Sequence, residues 1–312
     1  MTNLQIGLVH FMAFPEARED DGSLLESLQR LALDPYWGCI ELKAIASSQV
    51  EAQVASLFAG SHLDLLVGSQ YTLLSQKLNL NSLDASLRQQ SVDTIKRDLE
   101  QAARLGAKGL AVLSGPLEGS DSAARDQARV ALIDSLSELA EYAVEVSPDP
   151  SQPLCLELES FDDTIDKKSL IGPSTLAAEL AAEVTARVDN FGLLVDLSHL
   201  PLLGESPHHA LETTAPFLTH LHIGNCLMRD EASPLYGDYH PPFGYPGSEN
   251  DVEEVADFLS ALLAIGYPER EYATRRPTLS FEVKPVADQD PWLLLADNRR
   301  VLEAAWQLIE ED

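Results

Sequence analysis

Residues 101–116 read QAARLGAKGLAVLSGP and pass from a helix into a strand within one short span. Upstream, residues 86–105 set Leu87, Ile95, Leu99 and Ala102 on one helical face. Gly106 follows as the residue best suited to a left-handed C-terminal cap. Downstream, 109–114 is a short apolar run stopped by Gly115-Pro116, as expected of a strand buried on both faces. Comparable runs occur at 5–11, 38–44, 63–70, 153–159, 191–197, 219–224 and 278–283, which makes eight. Helical periodicity recurs at 122–144, 174–188, 252–265 (closed by Gly266) and 292–309. Strands alternating with helices imply parallel strands joined by right-handed crossovers. Eight such units predict a closed (β/α)8 TIM barrel, and no linker or composition break divides residues 1–312, so one domain is expected.

The chain carries 21 Lys and Arg against 50 Asp and Glu, a formal net charge of −29 spread along its length. No basic stripe is present to release counterions from phosphates, which argues against a nucleic-acid partner. Attraction to an anionic membrane is disfavoured for the same reason. With 45% hydrophobic and 23% charged residues, the composition is that of a globular protein. Three cysteines, Cys39, Cys155 and Cys226, show no framework spacing and read as reduced thiols. The opening MTNLQIGLVHF lacks a basic n-region, and no run reaches the ~20 apolar residues of a membrane span. A soluble, cytoplasmic protein is the expectation.

Barrel strands bury both faces, so polar residues inside them carry information. Here they come in pairs spaced by two, which point to one side: Glu41 and Lys43, Glu157 and Glu159, His220 and His222, Glu282 and Lys284. Strand six adds Asp196, with His199 just beyond it. The residues between the pairs (Leu42, Leu158, Leu221 and Val283) suit the helix-facing side, which turns the pairs into the barrel. Ionised groups there cost several kcal/mol each unless paired or coordinated. A salt-bridge network with Lys43 and Lys284 is one solution. Glu159, Asp196, His222 and Glu282, at the ends of four consecutive strands, point more directly to a divalent cation: Mn²⁺, Mg²⁺, Co²⁺ or Zn²⁺.

The segments LELES, GLLVDLSH, HLHIGN and LSFEV, in order on strands five to eight, resemble the xylose isomerase-like TIM barrel superfamily. That superfamily comprises sugar isomerases and epimerases, with relatives among zinc-dependent AP endonucleases, and residues 101–116 resemble its fourth unit. The resemblance implies Glu159, Asp196, His222 and Glu282 as metal ligands, with Glu159 and Glu282 also transferring protons. Glu157 then becomes a deeper structural carboxylate. His199 resembles a histidine that contacts substrate oxygen, and Arg229 is the nearest counterpart of an arginine that often follows strand seven. Asp238-Tyr239-His240 has the DxH pattern of the endonuclease branch, so His199, Asp238 and His240 are candidates for a second metal. Strands three and four end GSQY and LSGP, without the histidines a three-metal centre needs.

In the loop 160–173, Lys167 and Lys168 could hold a polyhydroxylated or anionic substrate or pair with Asp162, Asp163 and Asp166 around them. Lys284 is a further substrate-binding candidate. His10 ends strand one on the predicted inward side. Trp37 and Trp292 read as core in preference to substrate-stacking platforms, and His208 and His209 as surface. The function expected is a metal-dependent isomerase or epimerase of a sugar or related hydroxy-carbonyl compound, acting through proton transfer and an enediolate. A metal-dependent lyase, dehydrating a polyol or keto acid, uses the same ligands. A zinc phosphodiesterase of AP-endonuclease type and a non-catalytic sugar-binding barrel are weaker alternatives. The partner expected is a small molecule, and barrels of this superfamily are often dimers or tetramers.

Overall fold

The computed structural model describes residues 3–19, 22–119 and 121–311, and in it all eight apolar runs become strands. They are β1 Gln5–Val9, β2 Trp37–Leu42, β3 Asp64–Gly68, β4 Gly109–Leu113, β5 Cys155–Glu159, β6 Phe191–Asp196, β7 Leu218–Gly224 and β8 Thr278–Glu282. Each pairs in parallel with its sequence neighbour, and β1 closes onto β8 through Gln5↔Thr278 to Leu8↔Phe281. The (β/α)8 barrel expected from the sequence is the fold.

The α-helices are α1 His10–Ala13, α2 Gly22–Ala32, α3 Ser48–Ala59, α4 Gln70–Ser75, α5 Ala85–Leu105, α6 Ser122–Val146, α7 Ser174–Thr185, α8 His199–Leu203, α9 Pro207–Thr214, α10 Val252–Ala264 and α11 Pro291–Glu311. Helix α5 begins where the Asp84 side chain accepts from the Ser86 and Leu87 amides, and it ends at Gly106 with φ 73°. Asp251 and Glu254 form a capping box that starts α10 after the long loop following β7. Leu221, Leu279 and Phe281 pack outward beneath the helices, so their neighbours His220, His222 and Ser280 face the interior. Cys39, Cys155 and Cys226 are free thiols. Among the described residues, no helix is long and apolar enough to cross a membrane.

The main departure from the expected elements lies at the end of β1. Strand pairing stops at Val9, and the backbone turns into α1 at His10. His10 therefore does not line the pocket. It is buried against α2, with Nε2 2.8 Å from Ser27 Oγ and its ring stacked on Phe14. Burial pushes its pKa down from 6.5 to about 3, so the unfolded chain takes up a proton that the native state refuses. The resulting stability is complete above pH 6.5 and is lost as the pH falls toward 3. In His10→Gln, the slope of unfolding free energy against pH between 6 and 4 should be shallower by up to about 1.4 kcal/mol per pH unit. Urea titrations across that range measure it, and an unchanged slope would show that His10 does not contribute.

Candidate functional site

Glu159, Asp196 and Glu282 are the last residues of β5, β6 and β8, and His222 lies two residues before the end of β7. One ligand atom from each of the four falls within 4.8 Å of the others. Glu159, Asp196 and His222 are buried. A cavity of about 150 Å³ opens on this cluster. Its polar wall includes Glu41, Gln70, Glu159, Lys167, His222, Asp238, His240 and Glu282, and Val9, Phe11, Met12, Leu74 and Phe161 form its apolar side. A larger groove of about 610 Å³ runs between α2 and α11 and contains none of these acids or histidines, so size does not locate the chemistry.

Within the cluster, His222 Nδ1 lies 2.7 Å from Glu282 Oε2 and 3.7 Å from Glu159 Oε1, while its Nε2 lies 3.0 Å from Glu41 Oε2. Gln70 donates its amide to Glu159 Oε2 at 2.7 Å. Glu159 Oε1 and Asp196 Oδ2 are buried without a hydrogen-bond partner. Leaving such atoms unpaired is costly, and two carboxylate oxygens beside the His222 imidazole and the Glu282 carboxylate are the donor set a hard or borderline divalent cation requires. The residues present fit a metal.

A second grouping sits beside the first. His199 Nδ1 donates to Ser160 O at 2.8 Å and His240 Nδ1 to Glu282 O at 3.0 Å. A carbonyl only accepts, so both Nδ1 atoms carry protons and both Nε2 atoms are left for inward contacts. They lie 3.3 Å and 2.9 Å from Asp238 Oδ1, and Asp196 Oδ2 is 4.0 Å from His199 Nε2. Asp196, His199 and His240 meet the same 4.8 Å geometry as the first four. His240 has a left-handed backbone, φ 56°, and lies close to Gly224. A Cβ at Gly224 would come within 2.8 Å of His240 Nδ1 and 2.6 Å of Glu282 O, which explains glycine there.

The charges in this interior are strongly coupled. Burial raises Glu159 and Asp196 above the usual carboxylate range. Burial also acts to raise Glu282 and Asp238, but His240 beside both, with His222 or His199, outweighs it and holds them low. Burial would lower the histidines, yet Asp238 and its neighbours lift His199 to about 10 and His240 to about 9. Glu41 and Glu282 likewise raise His222.

Other expected site residues are distributed unevenly. Lys167 reaches the cavity wall, 3.1 Å from Asp238 and 2.6 Å from Asp166. Its loop is folded around Asp162, which accepts the amides of Ile165, Asp166 and Lys167. Lys168 is exposed, with φ 52°, and does not line the cavity. Lys284 places Nζ 3.9 Å over the Tyr239 ring and bonds His240 O through its backbone, so it braces the loop after β7 from outside the cavity. Arg229 is 67% exposed, pairs with Glu249 and borders a separate surface groove; the substrate role expected from its sequence offset is not where the structure puts it. Trp37 is core and His209 is exposed, while Trp292 is half-buried beneath Arg30. Two residues at the site were given no role by the sequence: Glu41, readable only as an inward acid, and Gln70, where a histidine was sought.

A family model described as "Xylose isomerase-like TIM barrel" matches residues 23–285. Among solved structures, a D-tagatose 3-epimerase-like protein is 18% identical with TM-score 0.70, covering 98% of this chain and 100% of that one. An L-ribulose 3-epimerase is 18% identical with TM-score 0.70, covering 98% and 97%. An AP endonuclease, family 2, from Brucella melitensis is 19% identical with TM-score 0.62, covering 92% and 95%. No curated protein matches by sequence. At these identities the structural likeness establishes the shared fold.

Proposed function

Because the chain belongs to the xylose isomerase-like TIM barrel family, we propose that it is a metal-dependent isomerase or epimerase of a sugar or related hydroxy-carbonyl compound. The observation that carries this reading is the convergence of Glu159, Asp196, His222 and Glu282 within 4.8 Å, with Glu159, His222 and Glu282 lining one small cavity. The solved structures named as sugar 3-epimerases agree with it.

A cation held by those four residues supplies Lewis-acid polarisation of the substrate carbonyl. The protein's own work is proton transfer and placement. Glu159 and Glu282 are the bases that remove the proton beside the carbonyl, leaving an enediolate, and return one to the adjacent carbon or the opposite face. Gln70 fixes Glu159 through its amide and keeps an unpaired Oε1 for a substrate hydroxyl. The apolar wall of Val9, Phe11 and Phe161 limits water at the reacting carbon.

Asp196, His199, Asp238 and His240 favour a second cation, and this is the one feature shared with the endonuclease reading. Gln70 and Ser114 stand where a three-metal centre needs histidines, and a chain of net charge −29 is poorly suited to DNA. A small, uncharged polyhydroxylated substrate fits better. Metal analysis joined to solvent-deuterium wash-in, on a panel of ketoses, polyol ketones and hydroxy acids, tests the proposal. Deuterium at a single carbon next to a carbonyl is expected. Loss of water from the substrate would identify a lyase, and absence of exchange from the whole panel with metal-loaded protein would overturn the reading.

A further inference from the structure

Beneath the candidate metal centre, acids and imidazoles alternate down the barrel axis. His222 Nε2 contacts both oxygens of Glu41, at 3.0 and 3.2 Å. Glu41 Oε1 is also 3.2 Å from His220 Nε2, and His220 Nδ1 is 3.3 Å from Glu157 Oε2. Ser280 Oγ, 3.1 Å from His220 Nε2, completes the ring's surroundings. Glu41, Glu157, His220 and His222 are all buried, and none of Glu41, His220 and Glu157 belongs to the four-ligand cluster.

We propose that Glu41 is a positioning residue for the metal centre: it holds the proton on His222 Nε2 and so presents Nδ1 to the cation, while His220 and Glu157 hold Glu41 in place. The inference deepens the functional reading above and rests on His222 as a ligand. Both ring nitrogens face carboxylates, but those at Nδ1, Glu282 and Glu159, belong to the four-residue cluster, whereas Glu41 at Nε2 does not; a cation held by that cluster takes Nδ1 and leaves the Nε2 proton to Glu41. An anion behind a ligating imidazole fixes its tautomer and ring orientation and strengthens its free nitrogen as a donor. Glu41 serves two imidazoles at once, so its carboxylate cannot swing away from His222 without also breaking its contact with His220. Strand β2 thereby acts on a ligand of β7 without touching the cation itself.

The test combines metal affinity with nitrogen spectroscopy, neither of which depends on knowing the substrate. Glu41→Gln retains size but gives up the charge and the second acceptor oxygen. It should weaken Zn²⁺ and Mn²⁺ binding, measured by chelator competition, by about 10- to 100-fold. Glu157→Gln leaves Glu41 in place and loosens only its anchor, so a smaller weakening in the same direction is expected; it carries the affinity test should Glu41→Gln fail to fold. In histidine-¹⁵N-labelled wild type, Zn²⁺ should shift His222 Nδ1 while the Nε2–H signal persists. A shift at Nε2 instead, or a folded Glu41→Gln binding metal within twofold of wild type, would overturn the proposal. If Zn²⁺ binds and shifts neither nitrogen, the assignment of His222 as a ligand fails and the role of Glu41 falls with it. The nitrogen spectrum therefore separates the two failures.

Discussion

Glu159→Gln and Glu282→Gln should each lower turnover by about 10²- to 10⁴-fold at saturating metal, the usual contribution of a positioned general acid or base. Each glutamine keeps the shape of the side chain and one carbonyl oxygen, but it cannot accept a proton at neutral pH. Two effects are superposed, because both carboxylates are also expected to hold the cation. Measuring at saturating metal removes the affinity loss and leaves the proton-transfer loss. Asp196→Asn is the control, since Asp196 belongs to the metal cluster and does not border the cavity. It should weaken metal binding more than it lowers turnover in the saturated enzyme. Deuterium wash-in adds a directional readout. If one glutamate removes the proton and the other returns it, one variant loses exchange altogether, whereas the other retains exchange but forms no product. Full turnover by both variants with metal bound would end the proton-transfer reading.

The sequence made the barrel legible because a strand's period of two is rigid. In THLHIGN and LCLELES that period assigns each side chain to a face, so the four acids and histidines at the rim could be read before any coordinate. The same extrapolation fails where a strand ends. His10 would face inward if β1 continued, but the chain becomes helical there and carries the imidazole to Ser27. Loop residues were harder still, since no period relates position to direction. Lys167 and Lys168 are neighbours of identical chemistry, yet one reaches Asp238 at the cavity and the other is exposed. Arg229 illustrates the same limit on a longer loop. The Glu41–His222 contact joins residues 181 positions apart on strands that are not neighbours in the sheet. Pattern reading showed both as inward residues and had no means of pairing them.

Metal removal should cost the fold measurable stability, because the interior is not electrically balanced by its own side chains. Glu41, Glu157, Glu159, Asp196, Asp238 and Glu282 crowd around His199, His220, His222 and His240, with Lys167 at the edge. Six carboxylates face four imidazoles, so two negative charges remain even with every imidazole protonated, and a single lysine ammonium cannot cancel both. Burial, and after it the nearby charge of Glu282, raises the pKa values of Glu159 and Asp196. A divalent cation cancels the excess charge and binds only the folded arrangement. At free metal a hundredfold above Kd, one site adds about 2.7 kcal/mol of stability. For a chain of this size that corresponds to roughly 4 °C in unfolding midpoint. Thermal unfolding with Mn²⁺ or Zn²⁺ against excess chelator should show this difference. His222→Ala should remove most of it, and Asp238→Asn should remove only the part due to the second site, together with one equivalent of bound metal. Identical midpoints with and without chelator, at metal concentrations that saturate turnover, would mean that the cluster is an ion-pair network balanced by protons, and the second-site assignment would fall first.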